Sequence, residues 1–311
     1  MKSMITKAIN PSQQNVFFKF NQFTLKDQNI VQSFIDRFQP FSCEYNFSNL
    51  FTWQYASRLS WMLYKERFLI YDGIEHSSFM PLGKDFYPEE LIVLSQNLKN
   101  MGLSPDFCLA TSRYLNKFPE IEKYYTIKKA RDQAEYIYDV NKLSELKGTK
   151  LHKKRNLISQ FKNNYPDYKV RLFNKGYGQK ALGLTHMLMT RYCKTSKTLD
   201  QEYLAIQSAL DHFDALGLGG IAIFVNNKLV AFTIFSRLNH STYDIQFEKA
   251  DMDFKGASQM INSETAKFLK NRCRYLNREQ DLGIKGLRQA KISYEPLQLI
   301  TPYTLIFTLP E

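Results

Sequence analysis

The sequence predicts an α+β protein with mixed sheets, one module laid down twice in a single chain. Three observations predict this. At 311 residues the chain is too long for one ordinary core. It is 44% hydrophobic and 14% aromatic, with 24 Phe and 19 Tyr, which supplies packed cores and excludes disorder. Strand-like runs and amphipathic helical runs also follow one order before residue 145 and repeat it afterwards, so modules are expected at 1–145 and 146–311.

In the first half, Val16–Phe23 reads as a short aromatic strand. Asp27–Phe38 reads as a helix, with Ile30, Phe34 and Phe38 at i, i+4 and i+8 and Asp27 placed to cap the first turn. Asn46–Tyr55 is a second helix, apolar at Phe47, Leu50 and Phe51. Leu59–Tyr64 and Arg67–Tyr71 are strands joined tightly through Lys65-Glu66 as a hairpin, and Ser77–Leu82 is a third. Pro88 opens a helix through Leu91, Leu94 and Leu98 that stops at Gly102. Phe107–Ala110 is a buried strand and Arg113–Phe118 a short helix; Tyr124–Lys128 and Glu135–Val140 read as a closing pair of strands.

The second half repeats the order. Tyr168–Phe173 is a strand, Tyr177–Cys193 a helix, and Asp200–Leu216 another, with Ile206, Leu210 and Phe213 on one face. Gly217, Gly219 and Gly220 end it. Ile221–Val225 and Leu229–Leu238 form a hairpin around Asn226-Asn227, a residue type that tolerates positive φ. Thr242–Lys249 is a strand, Ala257–Cys273 a helix, Arg274–Asn277 a strand and Leu305–Leu309 the last one. Between these last strands, Tyr275–Pro296 is dense in charge, with Gly283, Gly286 and a helical fragment carrying Arg288 and Lys291. Such a segment suits either a ligand-facing loop or a solvated turn with surface ion pairs.

The formal net charge of +12 favours an anionic partner: phosphate groups, nucleic acid or an acidic membrane surface. Between Lys147 and Lys175 lie nine Lys or Arg with only Asp167 opposed. There Leu151, Ile158, Phe161 and Tyr165 form an apolar stripe, leaving His152, Arg155, Ser159 and Lys162 on the other side. This reads as a solvated helix or as a docking face for transfer RNA or anionic lipid headgroups. The four cysteines (Cys43, Cys108, Cys193, Cys273) are far apart and the five histidines scattered, so neither metal nor triad chemistry is expected. No run of about 18 apolar residues occurs, and the expected location is the cytoplasm.

The element order, with a helix crossing over after the third or fourth strand, resembles the GNAT acyltransferase fold. Two copies in one chain resemble the Fem-type aminoacyltransferases of peptidoglycan bridges. The run Lys147–Phe161, K-G-T-K-L-H-K-K-R-N-L-I-S-Q-F, is similar to the K-x-R-N helix that opens their second copy. Glu248-Lys249, Lys255-Gly256, Asn277 and Lys291–Pro296 resemble the C-terminal catalytic domain of phosphatidylglycerol lysyltransferase. The likeness runs from about residue 40 onward; the charged N-R-E-Q-D segment after position 276 departs from it, as does the lack of those enzymes' transmembrane part.

The resemblance implies acyl or aminoacyl transfer in the C-terminal module, with no permanently bound cofactor and with aminoacyl-tRNA or acyl-CoA as co-substrate. The carrier's phosphates would sit where the third helix begins, at Lys255, Gly256, Ala257 and Ser258. Glu248 is expected to accept the proton of the attacking amine, with Tyr243 and Tyr294 as alternative proton donors. Lys291, preferred to Arg288, would steady an oxyanion or phosphate. Asp281 and Glu279 would orient an amino group, while Asn277, Arg288, Lys154 and Arg155 would touch substrate. A non-catalytic binder of anionic membrane surface or RNA is the reading from the other class.

Overall fold

The computed structural model describes residues 19–192 and 197–308. The expected first strand lies partly outside them; within them, Asn21 makes one bridge to Trp61. Cys193 and Leu309 also fall outside. A turn at Leu25–Asp27 leads into α1 (Gln28–Phe38), and Asp27 caps the turn instead of α1, its carboxylate accepting the Thr24 amide at 2.7 Å. α1 buries Val31 and Ile35, with Ile30, Phe34 and Phe38 on the flank of the same core. Asn46 caps α2 (Phe47–Ser57). β1 (Leu59–Tyr64) and β2 (Arg67–Asp72) form the expected hairpin, with Lys65 and Glu66 both at positive φ. Next come β3 (Ser77–Phe79), α3 (Pro88–Asn100), β4 (Phe107–Ala110), α4 (Ser112–Lys117), β5 (Tyr125–Lys129), β6 (Glu135–Asp139) and α5 (Val140–Glu145). Beyond the midpoint are α6 (His152–Asn164), β7 (Lys169–Leu172), α7 (Gly178–Tyr192), α8 (Lys197–Asp211), β8 (Gly219–Val225) and β9 (Lys228–Arg237). The chain closes with β10 (Thr242–Ala250), α9 (Ala257–Leu269), β11 (Tyr275–Gln280), α10 (Lys285–Ile292), β12 (Gln298–Ile300) and β13 (Tyr303–Phe307).

Two mixed sheets result, ordered β1-β2-β3-β4-β13-β5 and β12-β6-β11-β10-β9-β8-β7. Each contains one parallel pair, β3–β4 and β10–β11, joined across by α3 and α9 respectively; all other neighbours are antiparallel. The expected closing pair β5 and β6 does not pair. Instead β6 inserts between β11 and β12 in the second sheet, and β13, the end of the chain, inserts between β4 and β5 in the first. The two halves therefore exchange a strand, so the sheets do not divide the chain at residue 145.

One continuous core joins them. Phe47, Leu50 and Phe51 of α2, with Trp61 and Phe68, pack against Leu210 and Phe213 and against Phe232 and Phe247 of the second sheet. On that sheet's opposite face α5, α6 and α9 bury Leu143, Phe161 and Ile261. Both faces of β10 and β11 are thus covered, by α2 on one side and α9 on the other.

Candidate active site

The site is built where β10 and β11 part. They pair at Thr242–Tyr275, Tyr243–Leu276 and Asp244–Asn277, and no ladder joins them beyond. Both strands are irregular just past this point: β10 shifts register against β9 between Ile245 and Phe247, and β11 against β6 between Asn277 and Gln280. A bulge puts two successive side chains on one face and re-aims them. In β11 it is accompanied by a positive φ of 53° at Glu279, which a β-branched or bulky residue would rarely adopt. Glu279 turns toward α2, Asn277 and Gln280 toward the turn that precedes it, and Arg278 toward α9.

On the α2 face four carboxylates collect in the interior. Glu135 of β6 accepts from Ser42 Oγ (2.5 Å), the Cys43 amide (2.8 Å) and Asn277 Nδ2. Asp244, fully buried, accepts from Asn46 Nδ2 (3.1 Å) and Asn49 Nδ2 (2.9 Å) through Oδ2, while its Oδ1 has no partner. Glu279 accepts from Asn49 at 3.0 Å, and Glu44 from Gln280 at 2.8 Å. Gln246 gives its amide hydrogens to Ser48 and Asn49, leaving Oε1 buried and unpaired. Among the described residues none of the four acids forms an ion pair. Burial, then mutual repulsion, disfavours their charged forms: Asp244 is raised well above the usual range by burial and Glu135, Glu279 by burial and Asp244, and Glu44 to about 7 by burial and Glu135. Glu135 is raised too, through burial.

A buried group of acids with two unpaired acceptor atoms is suited to a cation carrying N–H donors. Cys43, Asp244 and Glu279 also offer atoms within 4.8 Å of one another, a grouping that cysteine and histidine spacing could not reveal. They fit a metal ion less well. The Cys43 thiol is pushed far up by burial and by Glu135, and metal ligation needs the thiolate. Asn49 also already directs its N–H at two of the acids. An ammonium, bringing both charge and donors, matches the chemistry of the set.

On the α9 face Glu248 pairs with Arg278 at 2.9 Å across the parted strands, and the Asn262 amide oxygen turns toward that guanidinium at 3.0 Å. Arg278 lies 5.5 Å from the Tyr138 ring centre and 5.0 Å from that of Tyr294. Lys154 reaches in from α6 to 4.3 Å from the same Tyr294 ring, its pKa lowered by burial and by Arg278. The Tyr294 hydroxyl is buried without a partner. Lys154 and Arg278 therefore meet over the Tyr294 ring, beside Glu248; Arg278 itself carried no expectation.

Other expected residues take positioning roles. The Lys291 ammonium is spent on the backbone carbonyls of Arg278 and Gln280, pinning the β11 bulge, and burial lowers its pKa to about 8 against the pull of Glu279. Asp281 is no free base. Burial raises its pKa, but Arg288, Tyr136, the Gly283 amide and Arg131 outweigh that and hold it far below the carboxylate range. Arg288 is bound in the same clamp, to Asp281 (2.8 Å) and Asp132 (2.7 Å). Arg155 donates to the carbonyls of Leu146 and Gly148, tying the turn before α6.

The expected phosphate loop is only partly open. Lys255 and Ser258 are exposed, but Gly256 (φ 91°) is pressed on α6, where a Cβ would meet the Leu157 carbonyl at 2.2 Å. Ala257 is buried and its amide is already bonded to Phe254. The glycine is thus explained by helix packing. The acidic group itself left one sequence signal: Asn46, Ser48, Asn49 and Thr52 sit on α2 among Phe47, Leu50 and Phe51, and all seven are buried. A helix apolar on one side and uncharged-polar on the other, with neither side wet, marks a buried polar network.

A family model described as phosphatidylglycerol lysyltransferase, C-terminal, matches residues 35–306. A conserved protein of unknown function from Bacteroides thetaiotaomicron is 31% identical in sequence, covering 93% of this chain and 99% of that one, with a TM-score of 0.87. L-PGS from Bacillus licheniformis superposes with a TM-score of 0.64 at 12% identity, covering 92% and 93%. FemX gives 0.60 at 7% identity, covering 94% and 98%. These last two show likeness of fold, and the tandem GNAT-like architecture expected from the element order holds. An uncharacterised protein of Mycoplasmoides gallisepticum is 22% identical over 169 residues, and the match spans about half, 54%, of each chain.

Proposed function

Because the chain belongs to the family of the phosphatidylglycerol lysyltransferase C-terminal domain, we propose that it moves an aminoacyl group from an activated carrier to an amine or hydroxyl acceptor. The observation that carries this is the set of unpaired carboxylates on the α2 face, with free acceptor atoms on Asp244 and Gln246. An acetyl group has nothing to offer them. The ammonium of an aminoacyl group offers charge and three N–H donors, and charge-assisted hydrogen bonds of this kind are the strong ones.

The ester or thioester carbonyl then lies in the gap between β10 and β11, where the facing strand edges are not joined by ladder bonds and can donate to a developing oxyanion. The acceptor's lone pair forms the new C–N or C–O bond, the carrier departs with the electrons of its C–O or C–S bond, and the acceptor's proton passes to Glu248. Arg278, whose guanidinium donates to the Asn262 amide oxygen, holds Glu248 in place. Lys291 acts at one remove, by fixing the bulge that aims Arg278 and Glu279 to opposite faces. Lipid headgroup, peptide and small-molecule acceptors, and transfer RNA or coenzyme A as carrier, share this chemistry.

The test supplies phosphatidylglycerol vesicles with transfer RNAs charged with radiolabelled amino acids, or with labelled acetyl-CoA, and counts label entering the lipid phase. Aminoacyl label is expected to transfer and acetyl label not. Asp244→Asn and Glu279→Gln are each expected to slow transfer about 10- to 100-fold, the equivalent of one lost charge-assisted hydrogen bond. Full activity in both variants, or equal use of acetyl-CoA, overturns the reading.

A further inference from the structure

The first half of the chain holds a cavity of about 400 Å³ that shares no residue with the site above. That volume is within the range of small-molecule sites, roughly 300–1,000 Å³. It opens between the end of α1, the start of β2, the loop before α3, and α4.

Its chemistry is two-sided. Arg67, Lys84, Arg113 and Lys117 bring four cations, and two carboxylates face them. Asp85 is shared between Lys117 (2.8 Å) and Arg113 (3.5 Å), and Glu90 lies 3.4 Å from Arg67. Two positive charges are left over, and Lys84 has no acidic partner among the described residues. The remaining wall is aromatic: Phe38, Phe118 and Tyr87, the last 64% exposed at the mouth and edge-on to Phe118 at 5.6 Å.

The floor is fixed in advance. Arg67 lies 4.1 Å over the Phe86 ring and donates to the carbonyls of Lys65 and Lys84, both at 3.0 Å. Gly83 has no side chain to displace it, since a Cβ there would come within 2.5 Å of Arg67 Cγ. A ligand therefore meets a base already held in place, with exposed cations above it.

Two surplus charges beside the exposed Tyr87 ring call for a dianion joined to a flat arene. We propose that this cavity binds a nucleoside phosphate, its base against Tyr87 and its phosphate among Lys84, Arg113 and Lys117. Guanidinium and ammonium donors suit phosphate oxygens, and rings accept any base face. The nucleotide can be free or part of an RNA chain.

Calorimetric titration decides this, using the four ribonucleoside monophosphates, a short single-stranded oligoribonucleotide, and glycerol phosphate as the arm without a ring. At least one monophosphate or the oligonucleotide is expected to bind, about tenfold or more tighter than glycerol phosphate, as base stacking implies. Tyr87→Ala is expected to remove that advantage, and Arg113→Ala with Lys117→Ala to weaken every phosphate, about tenfold or more. Arg113 and Lys117 side chains are 83% and 54% exposed, so these changes leave the fold intact. Oligonucleotide binding well above the monophosphates assigns an RNA source, and parity a free nucleotide. Binding by neither, equal binding of glycerol phosphate, or unaltered binding in the variants overturns the proposal.

Discussion

Replacing Glu44 by Gln is expected to stabilise the protein at pH 8 and to change little at pH 4. Glu44 sits at the rim of the acidic group, accepting from Gln280 at 2.8 Å, an interaction that the amide oxygen of Gln retains. Burial and the neighbouring Glu135 raise its pKa from 4.5 to about 7. At 1.36 kcal/mol per pH unit this amounts to about 3 kcal/mol against the ionised form. The sign follows from proton binding: the folded chain holds this proton more tightly than the unfolded chain. The contribution is thus fully present below pH 4.5 and is lost as the pH rises through 7. Gln cannot ionise, so the two proteins diverge between pH 4.5 and 7, and the gap is complete by about pH 8. Urea unfolding at pH 4, 6 and 8 measures it. If the two stabilities run parallel with pH, Glu44 is not crowded by buried acids, and the argument for an ammonium site loses its electrostatic basis.

Asp281→Asn is expected to cost about 1–3 kcal/mol in equilibrium unfolding at pH 7, because Arg131 and Arg288, themselves partly exposed, then lose a buried counter-charge. A loss under about 1 kcal/mol would mean Asp281 is not the clamp that the geometry describes. Gly256→Ala is expected to lower the melting temperature by several degrees, since it strains a positive φ and drives a methyl group against the Leu157 carbonyl. Ser258→Ala, at an exposed position beside it, is expected to melt like the wild type; equal melts for both would show that α6 does not rest on Gly256.

The local rules were strong enough to read most elements. Pro88 starting α3, positive-φ pairs at Lys65-Glu66 and Asn226-Asn227 turning hairpins, and the Leu151–Ile158–Phe161 stripe on α6 depend only on neighbours in the chain. β12, three residues with two exposed, was too short and too wet to register as a strand. The polar segment Arg278–Gln280 reads as loop, yet it lies on β11, where its side chains meet polar partners instead of water.

By itself the sequence determined the order of helices and strands, their repetition, and the family likeness carried by short motifs. Tertiary structure alone decided which strand joins which sheet, because a six-residue apolar run does not encode its partner and β6 and β13 cross between the halves. It also decided the chemistry. Glu135, Asp244 and Glu279 lie more than thirty residues apart along the chain, so no spacing rule could join them. A parallel pair that parts, two bulges and the capping turn of α2 bring them into one dry space, where low dielectric turns ordinary acids into a site for positive charge.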